Sequence, residues 1–183
     1  QTIDCFFPNP IFSASPEEAK GLSAYASGTS EISPSEALQI KQKVSPHLVP
    51  DALIEADKPL TMVYLQHDKP IDSVEEAYLK LHLLSHRLTL PNTLNLGQLF
   101  KHLPTVAWTN FGPIDASEIN DRIIEHRVNS EHLEVYSVDK FPKMTNYVIP
   151  QGVRIADSSR IRLGAYLGEG TTVMHEGFIN FNA

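Results

Sequence analysis

Residues 147–183 keep a single phase of six. Counting by sixes from Ile149 lands on Ile155, Ile161, Leu167, Val173 and Ile179, a branched aliphatic each time. The position four after each of them, Val153, Ser159, Ala165, Thr171, Gly177 and Ala183, holds a small or medium residue. Ile, Leu and Val make up about a quarter of ordinary sequence, so six consecutive hits arise by chance in roughly one window in a thousand. A period of six fits neither a helix nor a hairpin and is the signature of a parallel β-helix, in which each hexapeptide makes one short strand and one corner. Side chains two apart point the same way along a strand, so the aliphatic and the small residue two before the next one both face the interior. Three hexapeptides close one triangular coil, so residues 148–183 supply roughly two coils.

Corners need unusual backbone angles, and Gly152, Gly164, Gly168, Gly170 and Gly177 fall in this segment while the rest of the chain is glycine-poor. Coils of this type are usually left-handed, an exception to the right-handed crossover preference, which governs longer connections that pack back onto open sheets. Ordinary buried strands with glycine turns also show Ile, Leu and Val runs, but they do not hold one phase across the segment.

The chain before it reads as a separate α/β unit, residues 1–136, with the coils taking 137–183. Ile3 to Phe7 has the apolar content of a strand and ends at Pro8-Asn9-Pro10. Ser15-Pro16-Glu17-Glu18 and Ser33-Pro34-Ser35-Glu36 each place a hydroxyl at a helix cap, proline in the first turn and glutamate three residues on, a capping box. Ala26 to Ser30 reads as a small-residue linker, and Leu60 to Leu65 as the best strand of this half. Ser73 with Glu76 opens the strongest helix, whose apolar positions Ala77, Leu81, Leu84 and Leu88 recur at three to four and which Pro91 ends. Leu94 to Phe100 suggests a short helix and Val106 to Trp108 a short strand. Asp115 with Glu118 caps a helix bearing Ile119, Ile123 and Ile124, and Leu133 to Val138 is a strand leading into the coils. Strands alternating with helices predict a mixed sheet.

A net charge of −7, with the acids dispersed, argues against a duplex nucleic acid partner, which wants a basic face. Cys5 is the single cysteine, so no internal disulfide forms, and this fits a reducing compartment. No run of about 18 apolar residues spans a bilayer and no signal peptide stands at the start, so the expected setting is the cytoplasm.

Several residues carry candidate chemistry. His82 and His86 have the four-residue spacing that can place two imidazoles on one metal, but Leu83 and Leu84 between them leave no glutamate of the HExxH kind, which favours structural or surface histidines. Asp139 and Lys140 read as an exposed ion pair at the junction before they read as a functional pair. His175 and Glu176 interrupt a run of small and apolar residues off the inward positions, so both project from the coil. Were coils to pack about a threefold axis, three copies of Glu176 would converge and would have to protonate, bind a cation or separate; a solvated corner glutamate is the other reading. No phosphate-binding GxxxxGKS loop and no nucleophile elbow is present.

The stretches AYLKLHLLSHR, VAWTNFG, EVYSVDKFPKMTNYVIP and above all GVRIADSSRIRLGAYLGEGTTVMHEGFINFNA resemble the tetrahydrodipicolinate N-succinyltransferases of the longer, Pseudomonas and actinobacterial kind, over residues 76–183. The resemblance implies a homotrimer of left-handed β-helices, each with an N-terminal α/β domain. It also implies transfer of a succinyl group from succinyl-CoA to tetrahydrodipicolinate in diaminopimelate and lysine biosynthesis. Such acyl transfer needs a deprotonated amine, a thioester carbonyl polarised by backbone donors, and both held in a groove between subunits.

The family continues past FINFNA for further coils that carry its catalytic glutamate and most contacts to succinyl-CoA. The expectation is therefore a chain stopped after its first coils, with no catalytic residue of its own, silent in isolation and prone to associate through an open edge. Glu176 matches a family position that binds Mg2+ near the trimer axis, whereas Ser159 stands where some relatives carry a second, aspartate ligand. A different hexapeptide acyltransferase would share the coils without VDKFPKMTNYVIP and MHEGFINFNA. A γ-type carbonic anhydrase needs three coil histidines where only His175 is present. A non-catalytic trimerisation or assembly module is the remaining alternative.

Overall fold

The structure, a computed structural model, describes residues 2–56 and 58–183. Its organising element is helix α4, Val74–Ser85, ten of whose twelve residues are buried. The Ser73 hydroxyl accepts the Glu76 amide at 3.1 Å and starts the helix. Ala77, Tyr78 and Leu81 then face one apolar core with Ile71, Leu99, Leu103, Val106, Trp108, Phe141 and Leu163. Each large aliphatic fully buried there contributes about 1.5–3 kcal/mol. The core therefore draws on both the early chain and the hexapeptide segment. Lys80 is buried beside it and fully partnered, its ammonium donating to Asp68 Oδ1 at 2.6 Å, Lys69 O at 2.6 Å and Asn95 O at 2.7 Å.

The helix stops at Ser85 and does not run on to Pro91. The Arg87 amide donates to Leu84 O and the Leu88 amide to Leu83 O, each at 3.0 Å, the paired bonds of a Schellman end. Arg87 takes the left-handed conformation, φ 61°, that such an end requires. Leu88 consequently leaves the core face and is 43% exposed.

Around α4 lie α1 (Pro16–Leu22), α2 (Pro34–Lys43), α3 (Asp51–Ile54), α5 (Leu99–His102) and α6 (Ile119–Val128). Both proline-bearing helices, α1 and α2, have the capping boxes read from the sequence. At α6 the expected cap is absent: Glu118 occupies the cap position without a side-chain bond, and Asp115 accepts from the Ser117 amide and hydroxyl.

The strands form small antiparallel sheets in place of the expected mixed one. β1 (Gly28–Ile32) pairs with β2 (Leu60–Tyr64), so the segment 26–30, expected as a linker, enters a strand once its backbone finds a partner. β3 (Val106–Thr109) is flanked by β4 (Gly112–Asp115) and β5 (Val135–Asp139). The hairpin to β4, unforeseen in the sequence, turns on Asn110-Phe111, where Thr109 Oγ1 donates to Gly112 O at 2.7 Å and accepts the Phe111 amide at 3.1 Å. Ile3 to Phe7 is not a strand. It is a strap with strand-like alternation, Ile3, Cys5 and Phe7 against the core and Phe6 outward, whose backbone bonds go to side chains: Phe7 N donates to His82 Nε2 at 3.3 Å.

Beyond β5 the chain repeats on itself at an offset of eighteen residues, three times the hexapeptide. β6 (Arg154–Ile155) runs parallel to β7 (Thr172–Val173), with Ile155 opposite Val173, and Ile161 forms a parallel bridge to Ile179. The same offset joins Gly170 N to Gly152 O and Asn182 N to Gly164 O, each at 2.8 Å. Ile161, Ala165, Leu167 and Val173 are buried in a second core with Met144, and Val153, Ile155 and Ile179 pack against it. Three positions of the expected inward set are exposed: Ile149, Ser159 and Ala183. Ile149 is 70% exposed, its place in the core taken by Val148, and Ser159 is turned outward by a short 3-10 helix at Ser158–Arg160. Gly164 shows why that corner has no side chain: φ is +95° and a Cβ would meet Leu81 Cδ2 at 2.5 Å.

Candidate functional site

Where the β3–β4–β5 sheet, the N-terminal strap and the hexapeptide segment meet, they leave a cleft of about 700 Å³. The sheet brings Trp108 and Tyr136, the strap Asp4 and Phe6, and the segment after β5 brings Lys143, Tyr147, Arg162 and Phe178.

Arg162 projects outward from the repeat and is held on all sides. Its Nη2 donates to Asp139 Oδ2 at 2.7 Å and its Nη1 to Asn180 Oδ1 at 3.0 Å. The guanidinium lies over the rings of Phe141 and Phe178, 5.1 and 5.6 Å from their centres. The expected Asp139–Lys140 ion pair is therefore not formed. Asp139 is taken by Arg162, and the Lys140 ammonium turns away to donate to Leu103 O. Trp108 Nε1 donates to Asp139 O at 3.1 Å, which ties the sheet to this arginine.

On the strap side the Tyr147 hydroxyl donates to Asp4 Oδ1 at 2.5 Å. Burial pushes the Asp4 carboxyl above its usual range despite that bond, because taking the charge out of water outweighs the hydroxyl. Burial, followed by the neighbouring phenol and the Asp4 carboxylate, drives the Tyr147 phenol far up. Burial likewise raises the Cys5 thiol to about 12, so it is no nucleophile at neutral pH. Lys143 holds its ammonium 5.4 Å from the centre of the Tyr136 ring.

His82 and His86 are structural, as the sequence favoured. His82 is fully buried, with Nδ1 2.7 Å from Tyr78 O and Nε2 accepting the Phe7 amide, so the ring is neutral. Burial lowers its pKa to about 4. The two imidazoles stack at 6.1 Å, and burial lowers His86 as well.

His175 and Glu176 both project outward as expected, and the Glu176 side chain is 92% exposed. Arg160 Nη2 stands 3.5 Å from Glu176 Oε2, and Arg160 Nε stands 3.7 Å from Asp157 Oδ2. Ser159 donates to Asp157 Oδ1 from both its amide, at 2.9 Å, and its hydroxyl, at 2.7 Å. Among the described residues no three acids, histidines or cysteines come together as metal ligands. One chain offers a lone, arginine-countered carboxylate, which does not by itself fit a bound Mg2+.

The Arg162–Asp139 and Tyr147–Asp4 pairs were not found from sequence. The first joins residues 23 apart and the second residues 143 apart. The one available signal was the repeat itself, which places Arg162 on an outward position next to an inward Ile161.

The family model described as "Tetrahydrodipicolinate N-succinyltransferase middle" matches residues 103–143. A 2,3,4,5-tetrahydropyridine-2,6-dicarboxylate N-succinyltransferase of Pseudomonas aeruginosa is 60% identical over 131 residues, covering 72% of this chain and 38% of the relative. The protein of that description from Vibrio cholerae is 46% identical over an alignment of 192 residues, covering 99% of this chain and 56% of the relative. A Campylobacter jejuni crystal structure, described as a candidate 2,3,4,5-tetrahydropyridine-2-carboxylate N-succinyltransferase, superposes with a TM-score of 0.73 at 28% identity, covering 90% of this chain and 49% of that one. The chain thus spans between 38% and 56% of the length of these curated relatives.

Proposed function

Taking the chain as a homologue of the tetrahydrodipicolinate N-succinyltransferases, we propose that residues 1–136 form its N-terminal α/β domain and residues 137–183 the opening coils of a left-handed parallel β-helix in an enzyme of that activity. The observation that carries this reading is the parallel register at an offset of eighteen residues, Ile155 on Val173 and Ile161 on Ile179. In a triangular coil of three hexapeptides, eighteen residues return the chain to the same face one layer up. The antiparallel β3–β4–β5 sheet and α4 then serve as the platform on which the first coil is laid.

The reaction is transfer of the succinyl group of succinyl-CoA to the amine of ring-opened tetrahydrodipicolinate. A new amide C–N bond forms, the thioester C–S bond breaks, and CoA leaves as the thiol after the amine gives up its proton. Among the described residues neither Cys5 nor His82 is placed for that proton transfer. Cys5 is held protonated by burial and His82 is locked between two backbone groups. The part played by residues 1–183 is architectural: they set coil register and orientation for the acyl-transfer groove.

Three chains about one axis is the assembly the reading implies. It would bring copies of Glu176 together, where Arg160 or a divalent cation neutralises them. A chimera tests the function. Residues 1–183 replace the aligned part of the Vibrio cholerae relative, and release of CoA thiol is followed with succinyl-CoA and tetrahydrodipicolinate. Turnover by a trimeric chimera is expected, together with its loss when Leu167 is replaced by Asp. A folded trimer without turnover would overturn the reading.

A further inference from the structure

The cleft between the β3–β4–β5 sheet, the strap and the coils holds two charges that nothing in the fold matches. Asp4 is partly buried, and among the described residues no lysine, arginine or histidine pairs with it; its carboxylate is met only by phenols and backbone. Lys143 lines the same cleft, and among the described residues its ammonium has no hydrogen-bond or ion-pair partner, only the Tyr136 ring beneath it. The other charged lining groups do not alter this. Asp139 and Arg162 neutralise each other at 2.7 Å, and Glu134 is exposed. A carboxylate that pays desolvation without a counter-cation is costly, and such groups persist where something else supplies the charge. Trp108, Tyr136, Tyr147 and Phe178 give the walls aromatic surface, which favours both a cation and a short apolar chain.

We propose that this cleft is a binding site for a small amphoteric molecule, an ω-amino acid whose ammonium meets Asp4 and whose carboxylate meets Lys143. The volume of about 700 Å³ lies in the range of small-molecule sites. The claim stands on these two unmatched charges and their shared cleft, independently of the acyl-transfer reading.

The sequence contains one tryptophan, Trp108, and it lines the cleft, so its fluorescence reports occupancy. The chain is titrated with 6-aminohexanoate, and with hexanoate and hexylamine as probes carrying one charge each, by fluorescence and calorimetry. Binding of 6-aminohexanoate is expected to be saturable and about tenfold or more tighter than either single-charge probe. Lys143→Met should bring its affinity down to that of hexylamine, and Asp4→Asn down to that of hexanoate. Equal affinity for all three probes, an absence of saturable binding, or 6-aminohexanoate affinity unchanged in Lys143→Met overturns the proposal. If Asp4→Asn fails to fold by circular dichroism, Lys143→Met decides the matter: loss of 6-aminohexanoate affinity with hexylamine unchanged supports the site, and any other pattern contradicts it.

Discussion

The Ser85 hydroxyl accepts the Gly164 amide at 2.8 Å and donates to Ala165 O at 3.1 Å, although the residues lie 79 and 80 apart in sequence. The last helical residue of α4 thus holds the turn at Gly164 in the hexapeptide segment. Two positions on, the Arg87 guanidinium donates to Leu167 O and to Gln151 O, the latter at 2.8 Å. The C-terminal end of one helix is the seat of the whole repeat.

Replacing Ser85 by Ala removes both bonds and leaves a buried Gly164 N–H without a partner. A destabilisation of about 1–3 kcal/mol is expected, read from urea unfolding at constant m. A change within about 0.5 kcal/mol would show that the helix end does not hold the corner.

Leu167 and Ile149 occupy the same phase of the hexapeptide, yet one is 1% and the other 70% exposed. Leu167→Ala is expected to cost about 2–5 kcal/mol, and Ile149→Ala about 0.5 kcal/mol or less. Thermal or urea unfolding of the two variants side by side checks the contrast. Equal costs would mean that the first hexapeptide is already inside the core.

Acid should loosen the strap. Folded His82, with a pKa of about 4, binds a proton less readily than the unfolded chain near 6.5. Its contribution is therefore intact above pH 6.5 and is lost as pH falls toward 4, by about 3 kcal/mol in all. His86, lowered by the same burial, acts in the same direction. Asp4 acts in the opposite one, since its raised pKa favours folding as it protonates. Unfolding free energy measured from pH 7 to pH 4 should fall in the wild type and fall less in His82→Gln. An unchanged slope in the variant would remove His82 as the cause.

How much of this was legible follows from what holds each element. The capping boxes at Ser15 and Ser33 rest on contacts within a few residues, and sequence shows them; the strand Leu60–Tyr64 pairs with a distant partner but shows through its own apolar run. The buried phase through Ile161, Leu167 and Val173 is visible because it repeats. The early stop of α4 was hidden, because Arg87, which takes the left-handed backbone, has its side chain held by two carbonyls of the distant hexapeptide segment. β1 was hidden likewise: Gly28 and Glu31 are poor strand formers, and pairing with β2 imposes the conformation. At the site, Glu176 was legible as an outward charge, whereas the Tyr147–Asp4 and Arg162–Asp139 pairs depend on long-range closure that no spacing encodes.

The register of eighteen is open to direct measurement by through-hydrogen-bond scalar coupling in solution. The Ala156 amide should couple to the Val173 carbonyl and the Arg162 amide to the Ile179 carbonyl, the bonds seen here at 2.9 and 3.2 Å. Finding both couplings supports stacked coils of three hexapeptides. Amides at Ala156 and Arg162 that exchange freely with solvent, or that couple to carbonyls at any other offset, would contradict them.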